Sequence, residues 1–260
     1  MLNKLNFFYT ELFFFTIKQA KAILFAGVFL FILVLSKFFT LGMYRYDFIF
    51  VCAVITQVAL IYFKLETKDE AKTILLFHII GLVLELYKTS SFVGSWSYPE
   101  MSYLKIYSVP LYSGFMYAAV GSYVAASWKI MKLRFSGYPK LSHTYALGFM
   151  IYLNFFTNRY FYDIRYFLFV AIFIIFFKTK VYFTVRTKEH SMPLLLAFFL
   201  IAFFVWIAEN IGTFTGAWLY PDQISGWDVV HLQKITSWTL MVIICFLVVA
   251  SLKFYKQKSL

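Results

Sequence analysis

A chain of 260 residues could hold one or two soluble domains, but 62% hydrophobic residues against 14% charged ones, with a mean hydropathy of +0.75, exclude an ordinary soluble domain. Its length is better divided by the roughly 20 apolar residues that cross a bilayer. The net charge of +12 does not indicate nucleic acid, because the basic residues sort by loop rather than gathering in one patch.

In chain order, residues 1–21 read as an interfacial helix. Lys4, Lys18 and Lys21 bracket a broken aromatic run, and the small-residue cleavage site of a removable signal is missing. Apolar runs then predict eight crossing helices, at about 22–36, 46–63, 73–87, 108–128, 144–157, 163–177, 193–213 and 235–252. The expected fold class is an all-α membrane protein of about eight transmembrane helices. Residues 22–128 form a first four-helix half, 129–143 a basic cytoplasmic linker and 144–260 a second four-helix half.

Of the 24 Lys and Arg, 17 fall in the N-terminal segment, the second, fourth and sixth loops and the C-terminal tail. Basic residues concentrate on the cytoplasmic side, so a multi-pass protein of the cytoplasmic (inner) membrane with both termini cytoplasmic is expected. Cys52 and Cys245 fall inside expected spans in unlike contexts, which gives neither a disulfide framework nor metal spacing.

One element occurs twice. Glu85-Leu-Tyr-Lys-Thr-Ser-Ser-Phe-Val-Gly-Ser-Trp-Ser-Tyr-Pro99 is echoed by Glu209-Asn-Ile-Gly-Thr-Phe-Thr-Gly-Ala-Trp-Leu-Tyr-Pro221. Each has Glu, then Thr four residues on, then Gly-small-Trp-x-Tyr-Pro. Arg45-Tyr46-Asp47 likewise resembles Arg159-Tyr-Phe-Tyr-Asp163. The halves read as parallel repeats, since four crossings preserve orientation. The bland reading of Trp-x-Tyr-Pro is a re-entry turn: glycine permits the turn, proline stops helix from resuming, and Trp and Tyr seat it at headgroup level.

Among twelve carboxylates, only Glu85 and Glu209 are attached to the apolar bodies of helices. An ionisable group there is expensive and points to function. On this reading both carboxyls face one pocket between the halves and act as proton donor or base; structurally, Glu85 would instead pair with Lys88, and Glu209 with Asn210 or Arg165. The residues expected to bind substrate around the catalytic pair Glu209 and Glu85 are Asn210, Lys88, His78, Tyr98, Trp96, Trp218, Tyr220, Asn154, Arg165 and Lys234. His78 stands two turns before Glu85 on the same helix face, where a lone histidine more often serves helix packing.

The run 114–127 places Gly114, Ala118 and Ser122 at four-residue spacing, which lets another helix approach closely, and Tyr112, Tyr117 and Tyr123 are placed to project hydroxyls into a central cavity. The 34 Phe suit a polyene or sterol pocket, but a base-composition bias explains them equally well. No Gly-rich phosphate loop, His-Glu-x-x-His site or nucleophile elbow occurs; no cofactor, metal or nucleic acid is expected.

Glu85-Leu-Tyr-Lys-Thr with Gly94-Ser-Trp-Ser-Tyr-Pro-Glu100, the stretch Val109 to Tyr123, Tyr152-Leu-Asn-Phe-Phe-Thr157, Met192-Pro193 and Trp206-Ile-Ala-Glu-Asn-Ile-Gly-Thr213 resemble a bacterial integral-membrane family known as domain of unknown function eight-one-seven. The resemblance covers nearly the whole chain after the N-terminal helix and implies a fold without an activity. Glu209-Asn-Ile-Gly-Thr213, Gly216 and Tyr220 are faintly similar to membrane carotenoid hydratases and small lycopene cyclases, from which the first motif copy departs.

These readings lead to a membrane-embedded protein that acts on a lipid or isoprenoid ligand by carboxylate acid/base chemistry near the outer leaflet. Asn210 and Lys234 would position the substrate or stabilise charge. The alternatives are a proton- or cation-coupled small-molecule transporter, against which the near-surface polar groups count, and a non-catalytic membrane scaffold. The bilayer is the one expected partner; oligomeric state is not legible.

Overall fold

The computed structural model describes residues 2–258, with side chains from Asn6 to Tyr255. Met1 of the expected interfacial segment and Ser259 and Leu260 of the expected second half lie outside the described residues.

The fold is mostly helical: α1 (Leu2–Ala22), α2 (Leu24–Leu35), α3 (Arg45–Tyr62), α4 (Lys68–Lys88), α5 (Gly114–Ile130), α6 (Leu141–Thr157), α7 (Arg165–Phe176), α8 (Leu194–Phe214) and α9 (Lys234–Lys258). A helix therefore forms in every stretch where a crossing is expected. By length and composition, however, only α3, α8 and α9 suffice to cross a membrane among the described residues, and α1 with α2 would make a fourth were that pair, bent by 69°, one span.

The difference is a matter of length and charge. At about 1.5 Å per residue the 12-residue α2 and α7 reach only about 18 Å, against a hydrocarbon core of about 30 Å. α4 is long enough, but its first turns hold Lys68, Asp69, Glu70 and Lys72. Those residues start the helix: the Thr67 hydroxyl accepts from the Glu70 amide at 3.2 Å, and the Glu70 carboxylate accepts from the Thr67 amide at 2.8 Å, a reciprocal cap.

The expectation of an all-α chain is corrected by five short strands among the described residues. β1 (Lys105–Ile106) and β2 (Val109–Pro110) form a small antiparallel hairpin. β3 (Arg134–Ser136), β4 (Lys180–Thr184) and β5 (Glu189–Pro193) form an antiparallel sheet in which Phe135 faces Val181 and Tyr182 faces Ser191. β3 comes from the expected linker, and of that segment's basic residues Arg134 sits on the sheet; it donates three hydrogen bonds to Glu189, at 2.6, 2.7 and 3.1 Å. Backbone pairing satisfies the polar groups of both connections, and the buried alternate residues Val181 and Val185 were the legible signal.

This sheet defines one end of the bundle. α1 lies on it: Lys18 donates to the Thr184 carbonyl at 2.8 Å, Glu11 meets His190 at 3.0 Å, and Phe15 packs on Phe183. The opposite face of α1 exposes Phe8, Tyr9 and Phe13. The α3–α4 connection lies at the same end, where Glu66 accepts from Gln57 and Ser122. At the other end lie the two Trp-x-Tyr-Pro turns.

The core runs between α4 and α5, and between α8 and α9, with α5 and α2 joining the pairs. Gly114, Ala118 and Ser122 are all buried on α5, as close helix packing requires. The outward faces are apolar instead: Phe199, Leu200 and Phe204 on α8 and Phe167, Phe173 and Ile174 on α7 are exposed, a surface that suits hydrocarbon better than water.

Candidate functional site

Each motif copy folds back on the helix that precedes it. After α4, Gly94 turns the chain at φ +58°, and after α8 Gly216 does so at φ +73°, a region L side chains rarely adopt. Tyr98 then donates to Glu85 Oε2 at 2.7 Å, and Tyr220 donates to Glu209 Oε1 at 2.5 Å. The two turns pair with each other through Ser97 and Leu219, whose amides donate to each other's carbonyls at 2.9 and 3.0 Å. Tyr46 and Tyr112 anchor the second turn further, on the carbonyls of Gly216 and Ala217.

Both carboxylates are nearly inaccessible to solvent, Glu85 at 1% and Glu209 at 3% exposure. Burial of a charge in such surroundings costs several kcal/mol unless donors surround it. Glu85 has three: besides Tyr98, the Trp96 indole donates at 2.7 Å to Oε2 and Tyr117 at 2.7 Å to Oε1. Glu209 has two, Tyr220 and the Trp238 indole at 2.7 Å. The Lys234 ammonium stands 3.9 Å from the centroid of the Tyr220 ring and 5.8 Å from that of Trp96. In the turns, burial first and then the adjacent carboxylate hold the Tyr98 and Tyr220 phenols well above their ordinary range, which keeps them donors.

Tyr117 reaches Glu85 because of a close approach between α4 and α5. Gly81 lies one turn before Glu85, and a Cβ there would stand 2.4 Å from the Tyr117 ring. Glycine at this position lets the ring lie flat along α4 and carry its hydroxyl to the carboxylate.

Glu85 and Glu209 line one cavity of about 730 Å³, within the roughly 300–1,000 Å³ of small-molecule sites. Trp96, Tyr117, Tyr220 and Trp238 surround the carboxylates there. Away from them the wall is mostly apolar, formed by residues such as Val120, Ile201 and Phe246 with Gln19 and Ser127 among them, and it extends to Phe135 and Phe183 near the sheet.

The expected site residues divide into two groups. Glu85, Glu209, Trp96, Trp218 and Tyr220 line the cavity, with Tyr98 and Lys234 behind the lining. The others lie outside the lining. Asn210 spends its amide on backbone, donating to Trp206 O at 2.8 Å and accepting from Val230 N at 2.9 Å. Lys88 donates to Asn158 at 2.9 Å, so it does not pair with Glu85. Asn154 and Arg165 converge on Asp163, and Arg165 also reaches Thr236 at 3.1 Å. His78 packs on Phe115, ring centroids 4.4 Å apart. Of the three tyrosines placed toward a cavity, Tyr117 and Tyr123 line it, while Tyr112 bonds Ala217.

Sequence reasoning missed Trp238. The available signal was the repeated motif, because Trp238 follows Pro221 by 17 residues much as Tyr117 follows Pro99 by 18, and each donates to the carboxylate of its own motif copy.

Residues 11–246 match the family model described as protein of unknown function (DUF817), and the chain belongs to that family. It is 47% identical over 243 residues to "Uncharacterized protein YoaT" of Bacillus subtilis (strain 168), an alignment covering 93% of this chain and 91% of that protein. No solved structure matches. None of these matches carries the fainter resemblance to carotenoid hydratases and lycopene cyclases.

Proposed function

We propose that this member of the DUF817 family is a multi-pass protein of the cytoplasmic membrane, built from two parallel four-helix repeats, that binds a lipid or isoprenoid and acts on it by carboxylate acid/base chemistry. The observation that carries this reading is the shared cavity: Glu85 of α4 and Glu209 of α8, both buried, line one largely apolar chamber. A largely apolar chamber with two carboxylates at one end suits proton transfer to or from an otherwise unreactive hydrocarbon.

The membrane reading draws support from the apolar outer faces of α7 and α8 and from the gathering of the α3–α4, α5–α6 and α7–α8 connections at the sheet end, as a cytoplasmic face requires. The repeat reading draws support from equivalent Tyr-to-Glu hydrogen bonds in the two turns. Glu209 or Glu85 donates the proton; Lys234, beside the Tyr220 ring, stabilises the carboxylate left behind. Asn210, held on two backbone groups, supports the fold of the Val230 segment.

Mass spectrometry of membrane lipid extracts from cells with the gene, without it, and with Glu209→Gln tests the reading. A water adduct or double-bond isomer found only with the unaltered gene, at unchanged folded yield of the variant, is the expected result. Identical extracts in all three overturn the chemistry.

Coupled transport is the competing function, favoured by a cavity that reaches from the turns toward the sheet end. Its apolar wall opposes passage of a hydrated ion. A proton-coupled flux in proteoliposomes that vanishes in Glu85→Gln would establish transport instead.

A further inference from the structure

The cavity carries a charge asymmetry that acid/base chemistry leaves unexplained. In a chain of net charge +12, the described residues that line it include Glu85 and Glu209 but no Lys, Arg or His. The nearest cation of the cage, Lys234, stands against the Tyr220 ring outside the lining and offsets one carboxylate. Glu85 has no such partner: Trp96, Tyr98 and Tyr117 are all neutral donors. Around it the rings of Trp96, Tyr117, Tyr220 and Trp238 present π faces and edges at the same end of the chamber.

Carboxylate and aromatic rings together form the environment that attracts a cation and repels an anion. A carboxylate or phosphate headgroup placed there would add a third negative charge in apolar surroundings, without a basic side chain to meet it. An ammonium would meet Glu85 directly and leave the apolar wall to its chain.

We infer that the cavity takes a long-chain amine, an amphiphile whose protonated amino head lies between Glu85 and the aromatic cage and whose apolar tail lies along α5 and α8. The same chain ending in a carboxylate is disfavoured there. The inference shares with the proposed function the premise that this cavity is the ligand site, and it requires no reaction there.

Trp96, Trp218 and Trp238 line the cavity and report on occupancy through their fluorescence. The protein, purified in neutral detergent, is titrated with nitroxide-labelled hexadecylamine, hexadecanol and hexadecanoic acid. The amine should quench at a concentration at least about tenfold lower than the acid, with the alcohol between, and Glu85→Gln should remove most of that difference. Ala208→Phe, which fills the chamber beside Glu209 while keeping both carboxylates, should weaken all three ligands.

Equal affinity for amine and acid overturns the inference, as does an amine preference that persists in folded Glu85→Gln or binding that survives Ala208→Phe. Amine binding with unaltered lipid extracts supports this inference and removes the acid/base reading. A modified neutral lipid with no preference for the amine does the reverse.

Discussion

Ser97 and Leu219 exchange both backbone hydrogen bonds, N to O at 2.9 and 3.0 Å, and each occupies the x of a Trp-x-Tyr-Pro turn. A bridge between equivalent positions sets the two turns face to face, so that each tyrosine points back to the glutamate of its own helix. The carboxylates are thereby brought to one cavity although Glu85 and Glu209 stand on helices far apart in sequence.

That bridge is testable by a double-mutant cycle. Ser97→Pro and Leu219→Pro each remove one amide donor, and each should lower stability by about 1–3 kcal/mol, most of it the unmet carbonyl opposite. The double variant should lose clearly less than the two combined, because both act on one bridge. Full additivity in denaturant unfolding would mean that the turns do not depend on each other.

The tyrosine donors should matter individually. Tyr220→Phe leaves Glu209 with Trp238 as its hydrogen-bond donor, and Tyr98→Phe leaves Glu85 with two. Hydrogen bonds to a charged group contribute about 1.5–3 kcal/mol, so both variants should melt earlier, Tyr220→Phe by more. Equal midpoints for the parent and Tyr220→Phe would show that Glu209 draws little from that bond.

Gly81→Ala should disturb the site without touching a polar atom. The added methyl would stand 2.4 Å from the Tyr117 ring, which must swing and carry its hydroxyl off Glu85. Overpacking of this kind costs about 1–3 kcal/mol, and Tyr117→Ala combined with Gly81→Ala should recover part of the packing loss. Thermal melts of the single and double variants decide it.

Glu66, in the connection before α4, gives a pH dependence with a definite sign. Burial raises its carboxyl above the ordinary value, with Glu70 adding to the rise while Gln57, Ser122 and Lys129 oppose it. The unfolded chain therefore releases this proton at lower pH than the folded one, and stability falls as pH climbs from the ordinary value to the raised one. Glu66→Gln should flatten that decline. A decline of unchanged slope in the variant would assign it to another group.

Orientation can be read by cysteine labelling in a background lacking Cys52 and Cys245. Cysteines at Ser95 in the first turn and at Ser225 just after the second should react with a membrane-impermeant maleimide on intact cells, while one at Ser136 on β3 should react only after lysis. The opposite pattern would invert the protein in the membrane.

The sequence by itself determined the helical stretches, the two-ended distribution of basic residues and the repeated motif, because each is a local pattern: apolar run length, loop charge, and glycine and proline spacing. It also singled out Glu85 and Glu209, since a carboxylate inside an apolar run is conspicuous without any structure. The length of individual helices was harder to read, as α2 and α7 stop at 12 residues where apolar composition continues to suggest a span. The sheet of β3, β4 and β5 was hidden for another reason: β3 lies two connections away from the β4–β5 hairpin, and pairing between such distant segments leaves little local pattern in either. Only the tertiary structure decided which polar groups meet. Lys88 and Asn210 sit beside the carboxylates in sequence yet satisfy connections, as Arg165 does from α7, while Tyr117 and Trp238 come from other helices to donate to them. A buried carboxylate takes whatever donors the packing of neighbouring helices brings within about 3 Å, and that packing is a property of the whole bundle.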